Sequence, residues 1–148
     1  MISIVYVDTS AILKQYLGED FSRETVQFLQ KADFLGSSLL LRVEFTSGIA
    51  KAIRMGWIDQ EVGKQVIGLF NTEVADLHLI YADQAVINRA AELAWQFGLR
   101  GYDAVHLASA LVWQEDLGEL VTLATFDQPL QGAARQVGLK TWPLQVKG

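Results

Sequence analysis

Cysteine is absent from this chain. That removes disulfides, thiol nucleophiles and cysteine-based zinc sites together. Histidine is scarce: His78 and His106 are the two present, and they do not sit at zinc-ligand spacing. Any metal bound here must therefore be held mainly by oxygen. Long apolar runs are missing, because charge interrupts every one, so no segment reads as a membrane span. The opening stretch MISIVYVDTS has neither a basic n-region nor a cleavage pattern, and the expected setting is a soluble protein in the cytoplasm. There is no excess of basic residues either. The net charge of −5 argues against an affinity for nucleic acid that rests on a broad basic surface. It leaves room for acidic groups buried around a cation, with a local basic rim. No phosphate-binding glycine loop and no G-x-S-x-G elbow occurs, so a nucleotide cradle is unsupported and Ser10 is not a hydrolase nucleophile.

What the chain does have is apolar residues, 51% of 148 positions, enough to bury the core of one domain spanning 1–148. Ile2–Val7 is a near-continuous β-branched run, the pattern of a strand covered on both faces. Further strands are expected over Phe34–Ser38, Leu77–Tyr81, Leu120–Thr125 and Lys140–Pro143, the last at an edge because Pro143 cannot donate to a ladder. A helix is expected over Ala11–Leu17, with Thr9 or Ser10 as its cap, and others after a cap at Ser22 and after a cap at Asp59, the latter running to about Asn71. Further helices are expected over Leu39–Met55, Gln84–Phe97, Asp103–Leu117 and Gln128–Val137. That over Asp103–Leu117 has Val105, Leu107, Ala108, Leu111 and Val112 on one apolar face. Gly18, Gly56, Gly98 and Gly138 read as stops. Strands alternating with helices imply an α/β fold, a parallel sheet with helices on both faces.

Among 17 acidic residues, a lone strand-end aspartate proves nothing, and local surroundings must discriminate. Glu19, Asp20, Glu24, Glu61, Glu73, Glu92, Glu115, Asp116 and Glu119 lie among polar neighbours or at helix ends and read as solvated surface. Four others stand out. Asp8 directly follows the first strand, where open parallel sheets bind ligands; its plain alternative is a helix cap. Asp127 has the same relation to the strand LVTLAT and the same alternative. Glu44 sits one turn into an apolar helix, between Val43 and Phe45, and a buried glutamate requires a partner or a metal; an ion pair with Arg42 or Lys51 is the plain alternative. Asp103 opens the helix DAVHLASALVW and could be its N-cap. His106, one turn on, reads as structural. Carboxylates packed together raise one another's pKa unless a cation neutralises them. An all-oxygen cluster suits Mg²⁺ or Mn²⁺, and phosphodiester hydrolysis is the chemistry that uses it.

Four segments, VYVDTSAILKQYLGE, LLRVEFTSGIAKA, GLRGYDAVHLASAL and LATFDQPLQGAARQVGL, occur in the order and spacing of PIN domains. Within that family the chain most resembles the VapC type, toxin ribonucleases of toxin–antitoxin pairs. The resemblance implies a three-layer α/β/α sandwich with a mostly parallel central sheet, and a Mg²⁺- or Mn²⁺-dependent endoribonuclease. It implies that Asp8, Glu44, Asp103 and Asp127 are the catalytic acids, with Asp8 and Asp103 as principal metal ligands. Thr9, Ser10 and Thr125 would hydrogen-bond those carboxylates. It further implies RNA as substrate, a cognate antitoxin as partner and a homodimer. The acidic net charge departs from expectation for an RNA binder, and Lys14, Arg42, Lys51 and Arg100, close in sequence to the acids, are the candidates for a local basic groove.

Two other readings compete. A phosphatase of the haloacid dehalogenase type also begins with a strand-end aspartate, but it requires a second aspartate two residues on, where this chain has Ser10. A degenerate PIN-like domain that only binds or regulates is the non-enzymatic alternative, and retention of all four acids argues against it.

Overall fold

Ile4–Val7 (β1) is buried along its whole length because it is the middle strand of a five-stranded sheet, whose order is His78–Ile80, Phe34–Ser38, β1, Thr122–Ala124, Lys140–Trp142. A computed structural model describes residues 1–18 and 20–145; Glu19, read from sequence as a surface acid, and positions 146–148 lie outside the described residues. The other strands are Phe34–Ser38 (β2), His78–Ile80 (β3), Thr122–Ala124 (β4) and Lys140–Trp142 (β5). Every pairing is parallel.

Side chains of β1 alternate between two cores, as the two-residue period of a strand requires. Ile4 and Tyr6 face a cluster with Val86, Leu93, Leu107, Leu123 and Leu130. Val5 and Val7 face the opposite cluster with Ile12, Leu41, Phe45, Ile49 and Phe70. Helices Thr9–Tyr16 (α1), Ser22–Gln30 (α2), Leu41–Arg54 (α3) and Gln60–Glu73 (α4) cover the second face. Helices Gln84–Phe97 (α5), Gly101–Leu117 (α6) and Gln128–Gln136 (α7) cover the first. The expected α/β/α sandwich is the observed one, and its sheet is parallel throughout.

The differences from the sequence reading are local and have physical reasons. β1 starts at Ile4, since Ile2 is exposed and has no strand to pair with. The α1 cap is Asp8 itself, not Thr9 or Ser10. At α2 the capping position belongs to Phe21, whose φ of 69° reverses the chain, and Ser22 is already helical. α3 begins at Leu41, because Leu39 still donates its backbone N–H to Ile80 in the sheet. α6 begins at Gly101 rather than Asp103. It also lacks the single apolar face expected of it: Ala104, His106, Leu107, Ala108, Ser109, Ala110, Leu111 and Trp113 are all buried. The helix lies between the sheet, α5 and α7, so nearly every side of its middle turns meets protein.

Trp113 of α6 packs against β2 at Gly36, where a Cβ would fall 2.7 Å from the indole ring. Glycine at this position lets the longest helix approach the sheet closely, which sets the height of the residues at the other end of α6.

Candidate active site

The strand order places the site. β1 has β2 on one side and β4 on the other, so the chain's connections diverge at the carboxyl ends of β1 and β4. A crevice opens at such a switch point. Asp8 leaves β1 there, and Thr125 and Asp127 follow β4.

Asp8 is 2% exposed, yet its carboxylate is well supplied with donors. Oδ1 accepts from the Ala11 N–H at 2.9 Å and from Ser10 Oγ at 2.7 Å. Oδ2 accepts from Thr125 Oγ1 at 2.5 Å, across the β1–β4 seam. An ionised carboxylate has about four acceptor positions, so one remains for a cation. Burial holds the Asp8 carboxyl above its ordinary pKa, against the opposing pull of the hydrogen bonds from Thr125, Ala11 and Ser10. Ser10 also receives the Phe126 N–H at 2.8 Å, tying the loop after β4 to the start of α1.

Asp103 does not cap α6. The capping residue is Arg100, and Asp103 is the third residue of the helix. The plain alternative for this aspartate therefore falls away, and its carboxylate is left to face the cleft. Its pKa is raised, first by burial and then by the charge of Asp127, while Arg100 lowers it. Asp127 does cap its helix: Oδ1 accepts from the Leu130 N–H at 2.9 Å. Its other oxygen, Oδ2, accepts from Arg100 Nη2 at 2.9 Å, and Arg100 Nε donates to Asp103 Oδ2 at 3.0 Å. One guanidinium edge thus spans both carboxylates.

Glu44 pairs with neither Arg42 nor Lys51. Its partner is His106, whose Nε2 lies 2.6 Å from Glu44 Oε1. A carboxylate accepts, so Nε2 carries the proton, and Nδ1 is then free to accept from the Tyr6 hydroxyl at 2.7 Å. Burial holds Tyr6 well above its ordinary pKa, which keeps it a donor. The chain Tyr6, His106, Glu44 runs from the core to the cleft. Thr9 Oγ1 contacts this chain too, 3.3 Å from His106 Nε2, rather than a carboxylate. His106 is structural as the sequence suggested, but it is structural inside the site, and pattern reading missed that.

All four acids line one open cleft of about 490 Å³, together with Thr9, Ser10, Lys51, Arg100, Tyr102 and His106. Among the described acids, these four and Glu73 are the ones that escape full exposure. The cleft shares Lys51 and Tyr102 with a groove that adds Val43, Ser47 and Arg54. That groove in turn shares Val43 and Ser47 with a shallow surface holding Arg42. A basic strip along α3 therefore leads away from the acids, despite the negative net charge. Of the expected basic residues, Lys14 stands apart, with its ammonium over the Phe126 ring.

The donor set fits Mg²⁺ or Mn²⁺ in kind, since it is all carboxylate oxygen and a cation, the Arg100 guanidinium, is already seated between two of its members. Among the described residues no three acidic or histidine side chains form a closed cage. Mg²⁺ does not require one, because it keeps several waters and takes one or two carboxylates.

A PIN domain family model matches residues 5–135. The chain belongs to the PIN domain family. It is 30% identical over 135 residues to Ribonuclease VapC46 of Mycobacterium tuberculosis, covering 91% of this chain and 93% of the relative. Among solved structures it resembles FitAcB from Neisseria gonorrhoeae (TM-score 0.69, 17% identity, 95% of this chain and 100% of the other). It also resembles the VapBC-5 toxin–antitoxin system of Mycobacterium tuberculosis (TM-score 0.60, 15% identity, 94% of this chain and 95% of the other). For this PIN domain, no described helix is long and apolar enough to cross a membrane.

Proposed function

We propose that this PIN domain is a metal-dependent endoribonuclease, the toxin of a type II toxin–antitoxin pair. The observation that carries the reading is the convergence of Asp8, Glu44, Asp103 and Asp127 on one cleft at the β1–β4 switch point. The relatives support it: one is named a ribonuclease, and several solved neighbours are described as toxin–antitoxin assemblies.

Asp8 and Asp103 would hold Mg²⁺ or Mn²⁺, with Asp127 and Glu44 completing the acidic wall. The bound ion supplies Lewis-acid stabilisation of the phosphoryl oxygens and eases deprotonation of the attacking water. Ser10, Thr125 and the Ala11 N–H fix the Asp8 carboxylate in one orientation. His106 does the same for Glu44, which is then positioned to accept a proton from water in the cleft. Lys51 and Arg54, with the Tyr102 ring, form the wall along which a single RNA strand would lie, its phosphates on the cations and a base against the ring. Position 10, where a phosphatase of the haloacid dehalogenase type needs an acid, is a serine whose hydroxyl donates to Asp8.

The test compares wild type with Asp8→Asn on single-stranded RNA in Mg²⁺ or Mn²⁺ and again in EDTA. Cleavage by wild type, dependent on the ion and abolished in the variant, is the expected result. Equal inactivity of both across varied RNAs, with tight RNA binding retained, would replace the nuclease by a binding module. Co-purification with a small antitoxin encoded beside this chain tests the partner.

A further inference from the structure

Arg100 occupies an unusual place for a cation so exposed. Its side chain is 79% accessible, yet its head rests on two carboxylates that are themselves only 16% and 19% accessible. The backbone beneath it is fixed on both sides. Gly98, at φ 67°, turns the chain out of α5, Leu99 is buried, and the Arg100 carbonyl accepts the Ala104 N–H that begins α6. A firm backbone carries a long, solvent-washed arm, so the head can leave without disturbing the fold.

The oxygens it occupies matter more. Asp127 spends Oδ1 on its helix, so Oδ2 is its cleft-facing oxygen, and Arg100 takes that one. Asp103 gives Arg100 its Oδ2. A divalent ion held by Asp8 and Asp103 would share the Asp103 carboxylate with the guanidinium, and would meet it again wherever it draws on Asp127 Oδ2.

We propose that the Arg100 guanidinium is the resident counter-ion of the acidic cleft, seated on Asp103 and Asp127 until a divalent ion displaces it from them. The inference rests on the reading of this cleft as a metal site and adds its regulation: the ion competes with a side chain of the same protein. Exposed ion pairs are weak, so the competition is mild and lowers the apparent affinity for metal about three- to tenfold. The guanidinium keeps the acids apart in charge when no ion is present and yields once one arrives.

The experiment measures the Mn²⁺ dissociation constant of wild type, Arg100→Gln and Lys51→Gln by titration followed by electron paramagnetic resonance. Lys51 lines the same cleft and tests for a general field effect, because its removal strips a nearby positive charge without vacating the Asp103–Asp127 seat. The expected result is binding about three- to tenfold tighter in R100Q, with K51Q within about twofold of wild type. Reciprocally, R100Q should melt lower than wild type in EDTA and match it at saturating Mn²⁺, since each ligand of the seat weakens the other. Equal or weaker binding by R100Q, or equal tightening in K51Q, overturns the inference while leaving a wild-type metal site intact. Absence of Mn²⁺ binding in wild type and R100Q alike overturns both the inference and the metal-dependent reading beneath it.

Discussion

His106 and Glu44 meet at 2.6 Å although 62 positions separate them. The histidine comes from the buried middle of α6 and the glutamate from the first turn of α3. The ring is held from behind by the Tyr6 hydroxyl, so the direction of the Glu44 carboxylate is set from the core outward. Replacing His106 with Ala leaves a cavity, an unpaired Tyr6 hydroxyl and an undirected Glu44. The expected cost is about 2–4 kcal/mol of stability, read by urea unfolding. RNA cleavage well below the melting temperature should fall further than the unfolded fraction explains. A variant as stable as wild type would show that the chain from Tyr6 to Glu44 contributes nothing.

Asp8 yields a pH dependence with a definite sign. Burial raises its carboxyl above the unfolded value, so the protonated form favours folding. That contribution is full below the unfolded pKa and is lost as pH rises through the folded one. At neutral pH and without metal, ionised Asp8 therefore costs stability. Asp8→Asn should melt higher than wild type near pH 8 in EDTA, by a few degrees for each ~1 kcal/mol relieved. The gap should narrow toward pH 4. Cleavage should drop by more than about a hundredfold. Lower melting of the variant near pH 8 would contradict the sign.

Asp103 is raised by burial and by Asp127, so millimolar Mg²⁺ should raise the melting temperature of wild type by offsetting charge on the acids. The same titration of Asp103→Asn should give a smaller rise. Calorimetric scans with and without the ion decide it, and equal rises would remove Asp103 from the ion's ligands.

Gly36 should tolerate no side chain. The Cβ of alanine would stand 2.7 Å from the Trp113 ring and 3.1 Å from the His78 carbonyl, and a packed indole between sheet and helix cannot retreat. Gly36→Ala is expected to cost about 1–3 kcal/mol. Pairing it with Trp113→Phe should recover part of the loss; full additivity of the two costs would place the strain elsewhere.

The basic strip on α3 addresses how an acidic chain could hold RNA. Lys51→Glu and Arg54→Glu, both lining the groove beside Tyr102, should each weaken binding of single-stranded RNA and reduce the slope of affinity against salt by about one charge. Fluorescence anisotropy in Ca²⁺ would measure both. Unchanged slopes would move the RNA path off this face.

Much of the fold was legible because its signals are local. β2 and α5 have the bounds read from sequence; α5 is marked at both ends by its Asp83 cap and its Gly98 stop. Asp103 looks like a cap and so points to a helix start two positions too late, whereas the chain enters α6 from Arg100 with no side-chain cap. The burial of α6 on nearly all sides was also invisible, since alanine and serine are compatible with either exposure or tight packing.

The sequence by itself determined which carboxylates to suspect. Asp8, Glu44, Asp103 and Asp127 sit among apolar neighbours or at strand ends, and an uncompensated charge in such places is too costly to be incidental. It also determined the alternation of strands and helices, and with it the sheet between two helical layers. Tertiary structure alone decided what each acid touches: His106 on Glu44, Thr125 on Asp8, and one guanidinium edge across Asp103 and Asp127. Those pairings depend on which strands are neighbours and how closely α6 approaches the sheet. Such distances are set by packing between segments far apart in the chain, and no local pattern of residues encodes them.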